Sequence, residues 1–111
     1  MSSYASISPA ELAERMKNGE PVNLIDVREP IEYEIAHIEG AQLFPLSCFQ
    51  EQAEDIAALE PETEIVVMCH HGVRSAQVCR YLMQNGFERV FNLDGGIDAW
   101  STEVDREVPR Y

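Results

Sequence analysis

Residues 68–79 read MCHHGVRSAQVC, and they gather chemistry that the rest of the chain lacks. Cys69, Cys79, His70 and His71 fall in this stretch, in a chain with three cysteines and three histidines in all, together with Gly72, Arg74 and Ser75. Such a cluster could be a metal centre, a redox pair of thiols, or a thiolate nucleophile in an anion-binding loop. Consecutive residues such as Cys69, His70 and His71 rarely aim their ligating atoms at one centre, and the paired spacings of zinc sites are missing, so no metal is expected. Three cysteines cannot all pair within one chain, and a domain with a sizeable core needs no staple, so reduced thiols are expected.

The thiols must be positioned by the elements around them. The run IVVM, residues 65–68, is short, apolar and without alternation, as central strands of a parallel sheet are. VNLIDV (22–27) has the same character, and RVFNL (89–93) supplies a third strand. After IVVM the spacing turns helical, with Ala76, Cys79, Leu82 and Met83 on one face and Gly86 at the expected C-cap. Residues 64–93 therefore read as a strand–helix–strand crossover unit. Two S-x-x-E/Q capping boxes, at Ser8 and Ser47, announce further helices, the second containing Ile56 and Leu59 and stopping at Glu60-Pro61. Alternation of short strands with helices predicts a single α/β domain over residues 1–111, with a core at about 4–101, a mainly parallel sheet and helices on both faces. The polar tail STEVDREVPRY is expected to be partly loose.

Cys69 follows the IVVM strand directly, and ligands collect at the carboxyl ends of strands in open α/β sheets. His70, His71, Gly72, Val73 and Arg74 then form a turn into a helix expected to begin near Ser75. Backbone amides of such a loop and of the helix N-terminus converge into an anion site. A thiol there is expected to ionise readily, and Arg74 would both stabilise the thiolate and orient an oxyanion through its paired donors. Gly72 suits a backbone point needing positive φ or close approach to the anion. The two histidines are read as walls of the pocket that add positive charge near neutral pH, the alternative being two exposed loop residues without a role. Cys79, among apolar helical positions, and Cys48, with no cation beside it, are read as packing.

Three segments in order make the chain resemble the single-domain rhodaneses, the rhodanese-like sulfurtransferases. LIDVREPIEYEIAHIEGA (24–41) looks like the family's D-V-R-E segment followed by G-H-I-x-G-A. CHHGVRS looks like its C-x-x-G-x-[RT]-[ST] active loop, and LDGGIDAW (93–100) like its closing G-G-x-x-x-W element. The resemblance implies a five-stranded sheet and an enzyme without a cofactor. Its cysteine, Cys69 by position, takes sulfane sulfur from a donor such as thiosulfate. The resulting persulfide, held by residues 70–75, passes its outer sulfur to cyanide or a thiol. Asp26 and Arg28 match the D-x-R element and should lie near the pocket as a buried ion-pair framework, with Glu32 a possible partner for Arg28. His37 and Gly40 are read as a structural turn, Gly95 and Gly96 as the turn before the last helix, and Trp100 as an apolar anchor. One departure is Ala36, where the family usually has glycine.

Two other readings share the thiolate loop. A cysteine phosphatase or arsenate reductase typically encloses five residues between cysteine and arginine, whereas Cys69 and Arg74 enclose four, a tighter ring suited to one added sulfur. A persulfide carrier delivering sulfur to a thiol-bearing protein would use the same residues. Twenty acidic against eight basic side chains, a net charge of -12, argue against nucleic acid and anionic membranes as partners. The apolar share of 45% is that of a soluble globular protein, no run is long enough to cross a bilayer, and the first residues do not resemble a signal peptide. The chain is therefore expected to be cytoplasmic.

Overall fold

In the computed structural model, which describes residues 4–48 and 64–111, five parallel strands form one sheet in the order β1-β5-β4-β2-β3. The strands are β1 (Ala5–Ile7), β2 (Asn23–Asp26), β3 (Gln42–Leu43), β4 (Ile65–Met68) and β5 (Val90–Leu93). Among the described residues, α1 (Pro9–Lys17), α2 (Pro30–Ile35) and α3 (Val73–Gln84) lie between strands, and α4 (Gly96–Glu103) follows the last strand. β4 lies at the centre between β2 and β5, with Asp26 beside Met68 and Val67 beside Asn92. The carboxyl ends of these three strands thus open at one place, and Cys69 follows from the middle one.

All four residues of β4 are buried because both faces of the sheet are covered. Ile65 and Val67 point with Ile25, Val27 and Val90 toward Val78, Cys79 and Leu82 of α3. Val66 and Met68 point the other way, with Ile7, Leu24 and Leu93, toward Leu12 of α1 and Ile97 and Trp100 of α4. The expected α/β architecture, the parallel sheet and its two helical layers are all present.

The N-cap of α1 forms as the sequence indicates, with Ser8 Oγ accepting from the Glu11 amide at 3.1 Å, while the Glu11 carboxylate accepts from Arg15 at 3.1 Å. The helix read from Ser47 onward enters residues 49–63, outside the described residues. Within them, residues 46–48 make a 3₁₀ turn. This leaves Cys48 exposed, which corrects its reading as a packing residue. Helix α2 was not apparent from periodicity because it buries none of its residues. Its start is nonetheless encoded: Glu29 and Glu32 form a reciprocal capping box, and Pro30 occupies the first helical position.

The tail also departs from expectation. Val108 is buried in the second core cluster, and its carbonyl accepts from Ser101 Oγ at 2.5 Å. Beyond it Arg110 pairs with Asp98 at 2.9 Å, and Tyr111 returns to the sheet's carboxyl edge. Polar composition concealed this because a single apolar residue and a few directional contacts do the anchoring.

Candidate active site

Helix α3 begins at Val73, two residues earlier than its sequence suggests, so Arg74 and Ser75 both lie in its first turn. Gly72 is the N-cap with φ +111°, and space is not what selects glycine there, since an added Cβ would meet nothing closer than 3.8 Å. The left-handed backbone alone disfavours other residues. This turn brings the Gly72 amide to 3.0 Å from Cys69 Sγ, and the sulfur, in a residue only 1% exposed, also lies 3.3 Å from Ser75 Oγ.

Ser75 is itself fully buried and donates to Asn92 Oδ1 at 2.5 Å. The Asn92 amide is oriented by its other end, which donates to the Gly72 carbonyl at 3.1 Å. A hydroxyl has one proton to give. With that proton on Asn92, Ser75 presents a lone pair to the thiol S–H. When the sulfur is ionised, the hydroxyl can turn toward it and release Asn92. Asn92 did not emerge from the sequence, although a polar residue within a buried strand was a usable signal.

The loop is tied to α4 from the other side. The amides of Ile97 and Asp98 donate to the carbonyls of Cys69 and His70, at 2.9 and 3.1 Å. Glycines permit this approach: a Cβ on Gly96 would lie 2.4 Å from both of those carbonyl oxygens, and Gly95 and Gly96 have φ of +75° and +62°. The G-G element is therefore a staple between the last helix and the loop, and Trp100, 7% exposed, anchors that helix in the core.

Arg74 is paired with a carboxylate of this chain. Its two terminal nitrogens donate to the two oxygens of Glu32, at 2.6 and 2.8 Å. This bidentate pair, rather than an oxyanion substrate, uses the planar fork. Its hydrogen bonds hold the Glu32 carboxyl down at about 2. They also raise the Arg74 pKa, to which the charge of Cys69 adds a smaller part. Glu32 is thus the partner of Arg74, and only its backbone carbonyl serves Arg28, at 3.3 Å. The pairing spans 42 positions in sequence, beyond any local signal.

Asp26 and Arg28, both 0% exposed, form the buried pair the sequence suggested. Arg28 Nε donates to Asp26 Oδ1 at 2.9 Å and Nη2 to Oδ2 at 2.6 Å. Nη2 also donates to the Ala36 carbonyl at 2.7 Å, and Nη1 to the Tyr111 hydroxyl at 2.9 Å. Tyr111 in turn donates to Glu32 Oε2 at 2.8 Å, so a chain of charged bonds links β2 to the start of α3. Ala36 takes φ -160°, an extended conformation open to any residue, so glycine is not needed there. His37 is exposed and stacks on Tyr33, apart from this network.

His70 differs from its reading as a positively charged wall. His70 is stacked between His71, at 3.9 Å, and Tyr111, at 4.0 Å. Burial, assisted by His71, pushes its pKa below the ordinary value in spite of Asp98 and Glu32, which favours the neutral ring near pH 7. His71 is largely exposed. Cys79 is in the core, where burial pushes its thiol up to about 12, so it is an inert packing residue as its helical position indicated.

This fold and loop define a class. Residues 8–103 match the family model of the rhodanese-like domain, and the chain belongs to that family. It is 48% identical over 89 residues to the rhodanese-like/PpiC domain-containing protein 12, chloroplastic, of Arabidopsis thaliana, covering 79% of this chain and 30% of that protein. The chain thus spans less than a third of that longer relative. It is 37% identical over 95 residues to a protein of Allochromatium vinosum named a sulfurtransferase, covering 86% of each. The crystal structure of a rhodanese-related protein from Thermoplasma volcanium superposes with a TM-score of 0.78 at 34% identity, covering 91% of this chain and 94% of that one.

Proposed function

We propose that this domain is a sulfurtransferase in which Cys69 carries the sulfur. The observation that supports it most is the setting of Cys69 Sγ: a buried sulfur at a strand's end, with the Gly72 amide at 3.0 Å and the Ser75 hydroxyl at 3.3 Å. Both donors can stabilise negative charge on sulfur. The Cys69 thiolate attacks the outer sulfur of thiosulfate, the S–S bond breaks, and sulfite leaves with the electron pair. A Cys69–S–S⁻ persulfide remains, with residues His70 to Ser75 around it. Cyanide or a thiolate then attacks the terminal sulfur, forming thiocyanate or a new persulfide and returning the Cys69 thiolate. Dividing the transfer in two lets one sulfur serve as acceptor and then as leaving group. No cofactor enters either step. Three unpaired cysteines suit the reducing cytoplasm, and no described helix is long and apolar enough to cross a membrane.

Delivery to a protein thiol is the second reading, favoured by Val73, an apolar residue of the loop that is 71% exposed. Pairing of Arg74 with the Glu32 carboxylate, which offsets its charge, argues against a phosphatase, whose arginine serves the substrate's oxyanion.

Intact mass after incubation with thiosulfate tests the proposal. One added sulfur is expected on the wild type and on Cys79→Ser, and none on Cys69→Ser. An unmodified wild type refutes the reading for this donor. Turnover with cyanide or a small thiol distinguishes the enzyme from a carrier that releases sulfur only to a partner protein.

A further inference from the structure

His70 Nε2 is shut off from solvent and has no hydrogen-bond partner, the one such side-chain atom among the described residues. A buried polar nitrogen left unsatisfied is costly, and the same ring belongs to a group of side chains that offers a ligand set. One nitrogen from each of His70 and His71 and one oxygen of Asp98 lie within 4.8 Å of one another. Two imidazoles and a carboxylate suit zinc and similar divalent transition ions, whereas magnesium and calcium prefer oxygen alone.

The support for these ligands is already built. The backbone bond from the Asp98 amide to the His70 carbonyl fixes the start of α4 against the loop and so holds the backbones of Asp98 and His70 together. Asp98 Oδ1 accepts from Arg110 Nε at 2.9 Å, while Oδ2, held more loosely by Arg110 at 3.3 Å, faces His71 Nε2 at 3.9 Å. An ion could take Oδ2 and leave Oδ1 with Arg110 as an outer support, the arrangement common around ligating carboxylates. Tetrahedral zinc holds its ligand atoms about 3.3 Å apart, so the widest pair must close by up to about 1.5 Å. His71, with 62% of its side chain exposed, makes that movement by swinging off its stack on His70, which turns its ring nitrogen toward the ion and uncovers His70.

We propose that His70, His71 and Asp98 form a binding site for a divalent transition ion such as Zn²⁺, with water as the remaining ligand. The ion takes no part in sulfur transfer, and its binding stands or falls independently of the persulfide reading. Sequence spacing could not show the site, because Asp98 comes from a different element and is brought in by the glycine staple.

The test uses the full chain carrying Cys69→Ser, which removes the neighbouring thiolate as a rival ligand. Calorimetric titration with Zn²⁺ is expected to give one ion per chain, and His71→Ala or Asp98→Asn added to that chain is expected to weaken binding by about 10–100-fold. Failure to bind one ion below about 100 μM, or binding that stays within about threefold in both variants, overturns the proposal. Histidine ring NMR of the unsubstituted site decides independently of variant folding. One equivalent of Zn²⁺ should shift His70 and His71 and leave His37 in place, and unmoved His70 and His71 signals refute the site.

Discussion

Replacing Glu32 with glutamine keeps the side chain's shape and removes the charge that Arg74 and Tyr111 share. The carboxyl is held at about 2 in the folded protein against an ordinary 4.5, principally by the Arg74 hydrogen bonds. A difference of about 2.5 pH units corresponds to at most about 3 kcal/mol, and solvent at this partly exposed pair reduces it to about 2 kcal/mol. Because the folded value is the lower one, this stability is complete above the unfolded value and is lost as pH falls from 4.5 toward 2. More than half of it should be gone by about pH 3. Urea unfolding of wild type and Glu32→Gln at neutral pH and at about pH 3 measures this directly. The variant should be less stable by about 2 kcal/mol at neutral pH and by less than about 1 kcal/mol in acid. A gap that does not narrow with acid, or one below about 0.5 kcal/mol at neutral pH, would refute the electrostatic account of the pair.

Gly96→Ala combines a positive φ with a Cβ set against two carbonyl oxygens and should cost at least about 2 kcal/mol more than Gly40→Ala, whose Cβ would meet open space. Equal urea midpoints for the two would remove the staple as the reason for the G-G element. Tyr111→Phe keeps the ring on His70 but loses the bonds to Glu32 and Arg28, so a thermal scan should show Tm lower by about 4–8 °C, for a loss of about 1–2 kcal/mol. Combined with Glu32→Gln the losses should not add, because the two side chains share a hydrogen bond, and simple additivity in the double-mutant cycle would contradict the network.

What the sequence disclosed follows the range of each interaction. Placement of Cys69 at a strand's end, the left-handed Gly72 and the buried role of Cys79 are local consequences of an apolar run, a glycine and helical spacing. The Asp26–Arg28 pair was legible through the resemblance to the family's D-x-R element, and its members lie two residues apart at one strand end. Glu32 was assigned to the wrong arginine because its true partner arrives across the sheet. Tyr111 was overlooked because a polar tail gives no periodic signal, and β1 and β3 because two or three residues cannot establish a pattern. Helix α2 was hidden by its wholly unburied surface, although its capping residues were in plain view. Cys48 misled for a different reason: thiols are usually buried, but a 3₁₀ turn at the surface overrode that tendency.

The single hydroxyl proton of Ser75 turns Asn92 into an indicator. Whichever way that proton points, the side-chain amide of Asn92 gains or loses a neighbour, while its grip on Gly72 keeps it in place. Its NMR signal would therefore follow the charge on a sulfur that has no convenient signal of its own, allowing the state of the site to be monitored in solution without a label and without consuming the thiol.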